Sequence, residues 1–413
     1  GYKIYGVKMS LVNTPQSMQV HIGLFGKMNV GKSTLMNKLL NQNMSIVSDV
    51  SGTTTDIVQK SMELNPIGPV VFIDCAGYDD DSLLGKKRIE KTMMALEKSD
   101  LCIFIFTSEL EQIDYDWILK AKNCGKKIIP IINKCDELNL NLISSIEKSI
   151  KNKFSLDSIK ISLQNSNDVI MLKDELVKMI PESYEKKSFT GSLCSEGDEV
   201  FLVMPQDIQA PKGRLILPQV QILRELLDKK CIVSCCSTDN FEQTLDSKKR
   251  SPSLIICDSQ VFNFVYEKKP ESSLLTSFSA LLAANKGDIN DFILGAEVVK
   301  NIQSISKVLI SESCTHSPLE EDIGREKIPR MLRSKNPTIK IDFVSGKDFP
   351  SKLVDDEGNK KYDLIIHCGA CMCNSAFVRA RQIKAKDAKI PMTNYGIFIA
   401  AFLGILDKIV FPS

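Results

Sequence analysis

Gly26-Lys27-Met28-Asn29-Val30-Gly31-Lys32-Ser33 has the G-x-x-x-x-G-K-[ST] spacing of a loop that wraps phosphates. It follows the apolar run His21–Phe25 and opens a helical pattern at Thr34, so backbone N–H groups of a glycine turn and a helix start face one anion. In that arrangement Gly26, Asn29, Val30, Gly31 and Thr34 surround the phosphates, Lys32 reaches the β- and γ-phosphates, and Ser33 ligates Mg²⁺. Asp74-Cys75-Ala76-Gly77 ends a second apolar run, Val70–Ile73. It sets a carboxylate where it can hold Mg²⁺ through water and the Gly77 amide where it can sense the γ-phosphate. Asn133-Lys134-Cys135-Asp136 ends a third run, Ile128–Ile132. The Asp136 carboxylate can accept hydrogen bonds from guanine N1–H and N2–H₂, which adenine does not offer, so the expected ligands are GTP and GDP. Ser162, after Ile159–Ile161, is placed to back the guanine O6. Among the threonines of Ser51-Gly52-Thr53-Thr54-Thr55-Asp56, Thr54 is the expected Mg²⁺ contact that forms with GTP and breaks after hydrolysis. The expected catalytic set is Lys32, Ser33, Thr54, Asp74 and Gly77.

A second constellation is made of cysteine and histidine. Cys314-Thr315-His316 lies just past the apolar run Lys307–Ser311, and His367-Cys368-Gly369-Ala370-Cys371 just past Tyr362–Ile366. Both sit beyond the C-terminal ends of expected strands, where open α/β sheets place ligand sites. Three thiolates, from Cys314, Cys368 and Cys371, can converge there, a set suited to an iron–sulfur cluster. His316 and His367 can add a ligand at a fourth position, support one from behind, or serve only a surface or packing role. Cys373 follows two residues after Cys371 and either closes the fourth position or packs in the next helix.

The elements that must position these groups follow from the patterning. From Val20 to about Ile180 unbroken apolar runs alternate with helical patterns, as buried parallel strands do. The polar stretch Pro181–Gly197 reads as a linker. Glu199–Met204, Gln219–Leu227, Cys231–Cys235 and Leu254–Cys257 form a small βαβαβ unit without a chemical motif, which suits a dimerisation unit. After the charged stretch Glu267–Glu271 the alternation resumes with Phe278–Ala283, a helix near Asp288–Ile305, Lys307–Ser311, Ile339–Val344, Tyr362–Ile366 and the apolar helical stretch Ile397–Leu406. The expected architecture is three α/β units in series: a nucleotide domain over 1–185, a dimerisation domain over 198–270 and a cluster domain over 271–413.

Composition bounds the alternatives. The chain has 413 residues, Lys+Arg 53 against Asp+Glu 51, and a formal charge of +2, which is no electrostatic footprint for nucleic acid. It holds no apolar run long enough to span a bilayer. Its 13 cysteines beside phosphate-loop machinery point to a reducing compartment, the cytoplasm if bacterial or an organelle matrix if eukaryotic. Cys75, Cys102, Cys231 and Cys257 lie in or beside apolar runs and read as core filler. Gly1–Lys8 lacks an initiator Met and reads as the remnant of a processed leader or as an added segment.

Over roughly the first 180 residues the Gly26–Ser33 loop and the Gly52–Asp56 switch resemble the TrmE-Era group of GTPases. That resemblance implies a K⁺ ion beside the phosphates with Asn29 as its ligand. Tyr78 follows Gly77 where Ras-like proteins carry a glutamine, which implies slow intrinsic hydrolysis. Over the whole length the chain resembles the HydF family of [FeFe]-hydrogenase maturation GTPases. The resemblance rests on the Cys-x-His and His-Cys-x-x-Cys at their interval, on Asn394-Tyr395-Gly396, on Thr14-Pro15 and Ser48-Asp49, and on Lys286-Gly287-Asp288. It implies a [4Fe–4S] cluster on Cys314, Cys368 and Cys371, carriage of a di-iron subcluster precursor to apo-[FeFe]-hydrogenase, work with the radical-SAM maturases HydE and HydG, and a homodimer. The competing expectation is an RNA- or ribosome-associated GTPase whose cysteines hold a structural zinc.

Overall fold

Runs such as VHIGLF and LCIFIF carry no polar alternation, so each must be covered on both faces, and helices cover them. The structure, a computed structural model, describes residues 15–41, 49–50, 58–64, 67–79, 85–180, 188–205, 216–313, 323–346 and 348–412. The chain divides into two compact units, Gly1–Lys186 and Lys187–Ser413.

The first unit runs β1 (Val20–Phe25), α1 (Lys32–Asn41), β2 (Asp49–Val50), β3 (Val58–Leu64), β4 (Gly68–Asp74), α2 (Gly85–Lys98), β5 (Leu101–Phe106), α3 (Gln112–Asn123), β6 (Lys127–Ile132), α4 (Leu140–Phe154), β7 (Ile159–Lys160) and α5 (Ser166–Met179). Its sheet has the order β2-β3-β4-β1-β5-β6-β7. The β2–β3 and β3–β4 pairings are antiparallel and the others parallel. Alternate residues of β1 feed two cores: Leu24 joins Leu35, Leu39 and Ile103 on one face, and Phe25 joins Phe104, Trp117 and Ile146 on the other. β1 lies between β4 and β5, so the loop after it leaves the sheet at its centre, at the strands' C-terminal edge. The β3 strand, VQKSMEL, was not foreseen: its polar residues give it no apolar run to read.

The second unit continues with β8 (Glu199–Val203), α6 (Leu217–Asp228), β9 (Ile232–Cys236), α7 (Phe241–Asp246), β10 (Leu254–Cys257), α8 (Phe262–Lys268), β11 (Leu274–Ser277), α9 (Phe278–Lys286), α10 (Ile289–Glu297), β12 (Lys307–Glu312), α11 (Ile328–Lys335), β13 (Lys340–Ser345), β14 (Leu364–His367), α12 (Ser375–Asp387), β15 (Met392–Asn394) and α13 (Tyr395–Phe402). Two parallel four-stranded sheets result, β11-β10-β8-β9 and β13-β12-β14-β15. One apolar core, including Phe201, Ile255, Ile310, Ile366 and Phe398, joins them.

Three details depart from the sequence reading. The run Phe278–Ala283 is helical, because Ser277 caps it by accepting a hydrogen bond from the Ala280 amide. The strand is Leu274–Ser277 instead, and its pairing with β10 carries the middle sheet past residue 270, where the domain boundary was expected. The charged stretch Glu267–Glu271 is the end of α8 and a turn. The helix expected near Asp288–Ile305 is α10 followed by 3₁₀ turns, broken at Asn301 (φ −115°, ψ 40°).

Candidate functional site

Side-chain and main-chain contacts hold the phosphate loop in shape. Gly26 (φ 150°), Asn29 (φ 62°) and Gly31 (φ 103°) supply the backbone angles that turn its N–H groups inward. Lys32 folds over the loop, donating to the carbonyls of Gly26 at 2.9 Å and Lys27 at 2.6 Å. Burial lowers its pKa, opposed by the nearby Asp74. Ser33 donates to Asp74 Oδ2 at 2.6 Å. Burial raises the Asp74 pKa, against the Ser33 hydrogen bond and the Lys32 charge. Its other oxygen, Oδ1, is buried and has no hydrogen-bond partner among the described residues. A hydroxyl and a half-satisfied carboxylate at the loop's mouth are a hard oxygen donor set, which fits Mg²⁺.

Gly77 packs against the loop: a Cβ there would stand 2.7 Å from the Met28 amide nitrogen. The same amide donates to Asp79 Oδ1 at 2.8 Å. Tyr78 turns away into the interior, 4% exposed, stacked on Trp117 and donating to Asp114 Oδ1 at 2.7 Å. Asp114 also pairs with Lys27 at 3.1 Å, so α3 ties the phosphate loop to the segment after Asp74. Sequence reasoning missed this link, whose only signal was the acidic start of α3.

The base-reading loops meet through the main chain. Asn133 donates from Nδ2 to the Val30 carbonyl at 2.9 Å and thereby braces the phosphate loop. The Cys135 amide donates to the Ile161 carbonyl at 3.2 Å, which brings the Asn133–Asp136 loop beside Ser162. Lys134 is left-handed (φ 60°) and Asp136 is exposed at the loop's end. Asp168, also missed, fixes the Ser162 amide at 2.7 Å from the first turn of α5. Thr34 is exposed at the start of α1. Thr54 lies outside the described residues, with the rest of 51–57. Asp136→Asn is expected to shift preference from guanosine to xanthosine triphosphate, since an amide donates to the xanthine O2 that a carboxylate repels. Competition binding of the two nucleotides checks this.

In the second unit, Cys368 and Cys371 lie on the loop leaving β14. Cys368 Sγ accepts from the Ser313 amide at 3.1 Å and the Ala370 amide at 3.4 Å. Burial raises its pKa, and these donors oppose the rise. Cys314 and His316 lie outside the described residues, but Ser313, which precedes Cys314 in the chain, already touches Cys368. Among the described residues no three His, Cys, Asp or Glu side chains gather around a metal position. The donors that are described, two cysteines with N–H groups on one sulfur, have the chemistry of thiolate ligands to iron.

His367 is fully buried with both ring nitrogens occupied: Nδ1 lies 2.7 Å from the Cys368 carbonyl and Nε2 3.0 Å from the Arg381 guanidinium. Burial, then the Arg381 charge, holds its pKa down to about 3. Of the roles left open for it, this geometry suits support of the Cys368 loop and leaves no nitrogen for a metal. Cys373 points its thiol at the Ser313 carbonyl, 4.0 Å away, and packs against the core around Ala370 and Val378.

Three family models match. Residues 21–134 match the 50S ribosome-binding GTPase family, 189–287 the hydrogen maturase F dimerization domain, and 290–412 the hydrogen maturase F tetramerization domain. Curated relatives include GTPase Der of Wolinella succinogenes, 31% identical over 42% of this chain and 38% of its own, and tRNA modification GTPase MnmE of Thermotoga maritima, 33% identical over 40% and 36%. The chain thus spans well under half the length of the curated relatives it matches. Among solved structures, Era of Aquifex aeolicus bound to GDP and AlF₄⁻ is 20% identical over 62% of this chain and 99% of its own, with a TM-score of 0.34.

Sheet order, phosphate loop and base-reading loops define a P-loop protein of the GTPase class. The two maturase domains behind it go further, and the chain belongs to the HydF family. Those matches favour the maturase reading over an RNA- or ribosome-associated GTPase.

Proposed function

We propose that this protein binds and hydrolyses GTP and acts in [FeFe]-hydrogenase maturation, holding a di-iron precursor at a [4Fe–4S] cluster on Cys314, Cys368 and Cys371 and delivering it to apo-hydrogenase. The observation that carries the reading is the pairing, in one chain, of a phosphate loop with a Cys-x-x-Cys loop whose first sulfur accepts two main-chain N–H groups. HydE and HydG are the expected partners that build the precursor.

In the nucleotide unit, Asp136 and Ser162 read guanine, Asn133 keeps the phosphate loop at the right distance from the base, and loop amides hold the phosphates. Lys32 leaves its two carbonyls for the β/γ-phosphates, where its charge offsets that of the transition state. Ser33, Asp74 and Thr54 would hold Mg²⁺, which supplies charge neutralisation on the phosphate oxygens. Gly77 follows the γ-phosphate through its amide. Tyr78, engaged by Asp114 and Trp117, stands after Gly77 in place of a glutamine that could orient water, so slow turnover is expected. Asn29, exposed on the loop, is the proposed K⁺ ligand. Hydrolysis is expected to run faster in K⁺ than in Na⁺, with the difference lost in Asn29→Ala; steady-state phosphate release in the two salts checks it.

In the second unit, Cys368 and Cys371 hold the cluster from β14 while His367 fixes the Cys368 carbonyl. The cluster, when bound, supplies an iron with an open coordination position. The matched domain descriptions support a homodimer through residues 189–287 that assembles further through 290–412. Edge strand β9, with Ile232 58% exposed, offers an apolar surface for that contact.

Anaerobic isolation with metal and sulfide analysis tests the cluster assignment. Brown protein with iron and acid-labile sulfide is expected; colourless protein with one zinc would refute it.

A further inference from the structure

Lys286-Gly287-Asp288 takes no part in the nucleotide chemistry, yet it joins three elements around the cysteine loop. Lys286 ends α9 and is 3% exposed. Its ammonium donates to three main-chain carbonyls of the loop, Ala370 at 2.6 Å, Cys371 at 3.1 Å and Cys373 at 2.5 Å. Gly287 leaves no room for a side chain, since a Cβ would stand 2.6 Å from both Gln382 Oε1 and the Phe292 ring. Asp288 caps α10, and its amide and carbonyl exchange hydrogen bonds with the Gln382 side chain on α12. α12 begins at Ser375, directly after the loop. The loop is therefore gripped at its centre by Lys286 and anchored at its exit by α12.

The grip has a structural and an electrostatic consequence. Ala370 is left-handed (φ 49°), a conformation that an alanine adopts only under constraint. In that conformation its carbonyl accepts from Lys286 while its N–H donates to Cys368 Sγ. The loop thus turns acceptors toward the ammonium and a donor toward the sulfur. Burying an ammonium is costly unless dipoles compensate it, and here three carbonyl dipoles of the cysteine loop do so, which sets the lysine's charge against that loop's main chain. Arg381 adds a second: 1% exposed, it donates to Ser311 Oγ and the Gly346 carbonyl, meets His367 and lies 4.1 Å from the Phe377 ring centroid. A fixed cation beside a redox centre stabilises its more negative state.

We propose that Lys286 is a positioning residue of the cysteine site: it shapes the Cys368–Cys373 loop to present N–H groups to sulfur, and its charge raises the reduction potential of the cluster held there. The inference rests on the cluster reading given above.

The test compares anaerobically reconstituted wild type, Lys286→Gln and Lys286→Arg. Iron and sulfide are counted, and the cluster is titrated by EPR against redox mediators. Lys286→Gln, which keeps a donor and loses the charge, is expected to hold less iron and to show a midpoint potential below wild type, with an altered reduced EPR signal. Lys286→Arg is expected to restore both toward wild type. Equal iron content and equal midpoint potential in wild type and Lys286→Gln would overturn the proposal while leaving the cluster reading intact. A wild type without iron would overturn both. If Lys286→Gln does not fold, Lys286→Arg decides alone: a near-wild-type midpoint potential is expected, and a folded Lys286→Arg protein that takes up no iron would refute the role of the charge.

Discussion

Lys32→Ala is expected to lower GTP hydrolysis by at least about a hundredfold, the scale of losing one preorganised charge contact to the transition state. The ammonium that Gly26 and Lys27 hold supplies a full charge, which the loop's amides cannot replace. Iron content should not change, since the cysteine loop belongs to the other compact unit. Single-turnover phosphate release and iron analysis on one preparation check both halves. Turnover at the wild-type rate would remove the phosphate-transfer assignment.

The second large effect belongs to the cysteine loop. Cys368→Ala should remove most of the iron, because the remaining thiolates cannot retain a cluster and because Ser313 and Ala370 lose their shared acceptor. Cys371→Ala and Cys314→Ala should do the same. Cys373→Ser should keep iron, sulfide and the visible spectrum near wild type, its thiol being placed against the Ser313 carbonyl and an apolar core. Added imidazole should perturb the reduced EPR signal equally in wild type and Cys373→Ser. If wild type resists imidazole and Cys373→Ser accepts it, Cys373 closes the fourth position and must be displaced before a precursor binds.

The parallel strands β1, β4, β5 and β6 were legible because burial on both faces leaves continuous apolar runs, and motifs at their ends could be placed from sequence. β3 was not, since an antiparallel strand of mixed polarity carries no such run. The run Phe278–Ala283 is apolar because α9 is buried, and a short apolar run has no period that separates helix from strand; only Ser277 marked the cap. At the nucleotide site Lys32, Ser33, Asp74 and Asn133 could be placed by their spacing, and the structure brings them together around one loop. Residues that act through others, Asp114 on Lys27 and Tyr78 and Asp168 on the Ser162 amide, were not legible, because a single carboxylate near a helix start looks like any first-turn acid. Arg381 escaped for a similar reason, and Lys286, although part of a motif the sequence singled out, gave no sign that it would be buried behind a loop 84 positions away.

Activation of a hydrogenase tests the central claim most directly. The protein is isolated anaerobically after co-expression with HydE and HydG, mixed with apo-[FeFe]-hydrogenase, and hydrogen evolution is measured. The account predicts activation that depends on Cys314, Cys368 and Cys371. No activation by iron-loaded wild type, in an assay where an established maturase activates the same apo-hydrogenase, would contradict it.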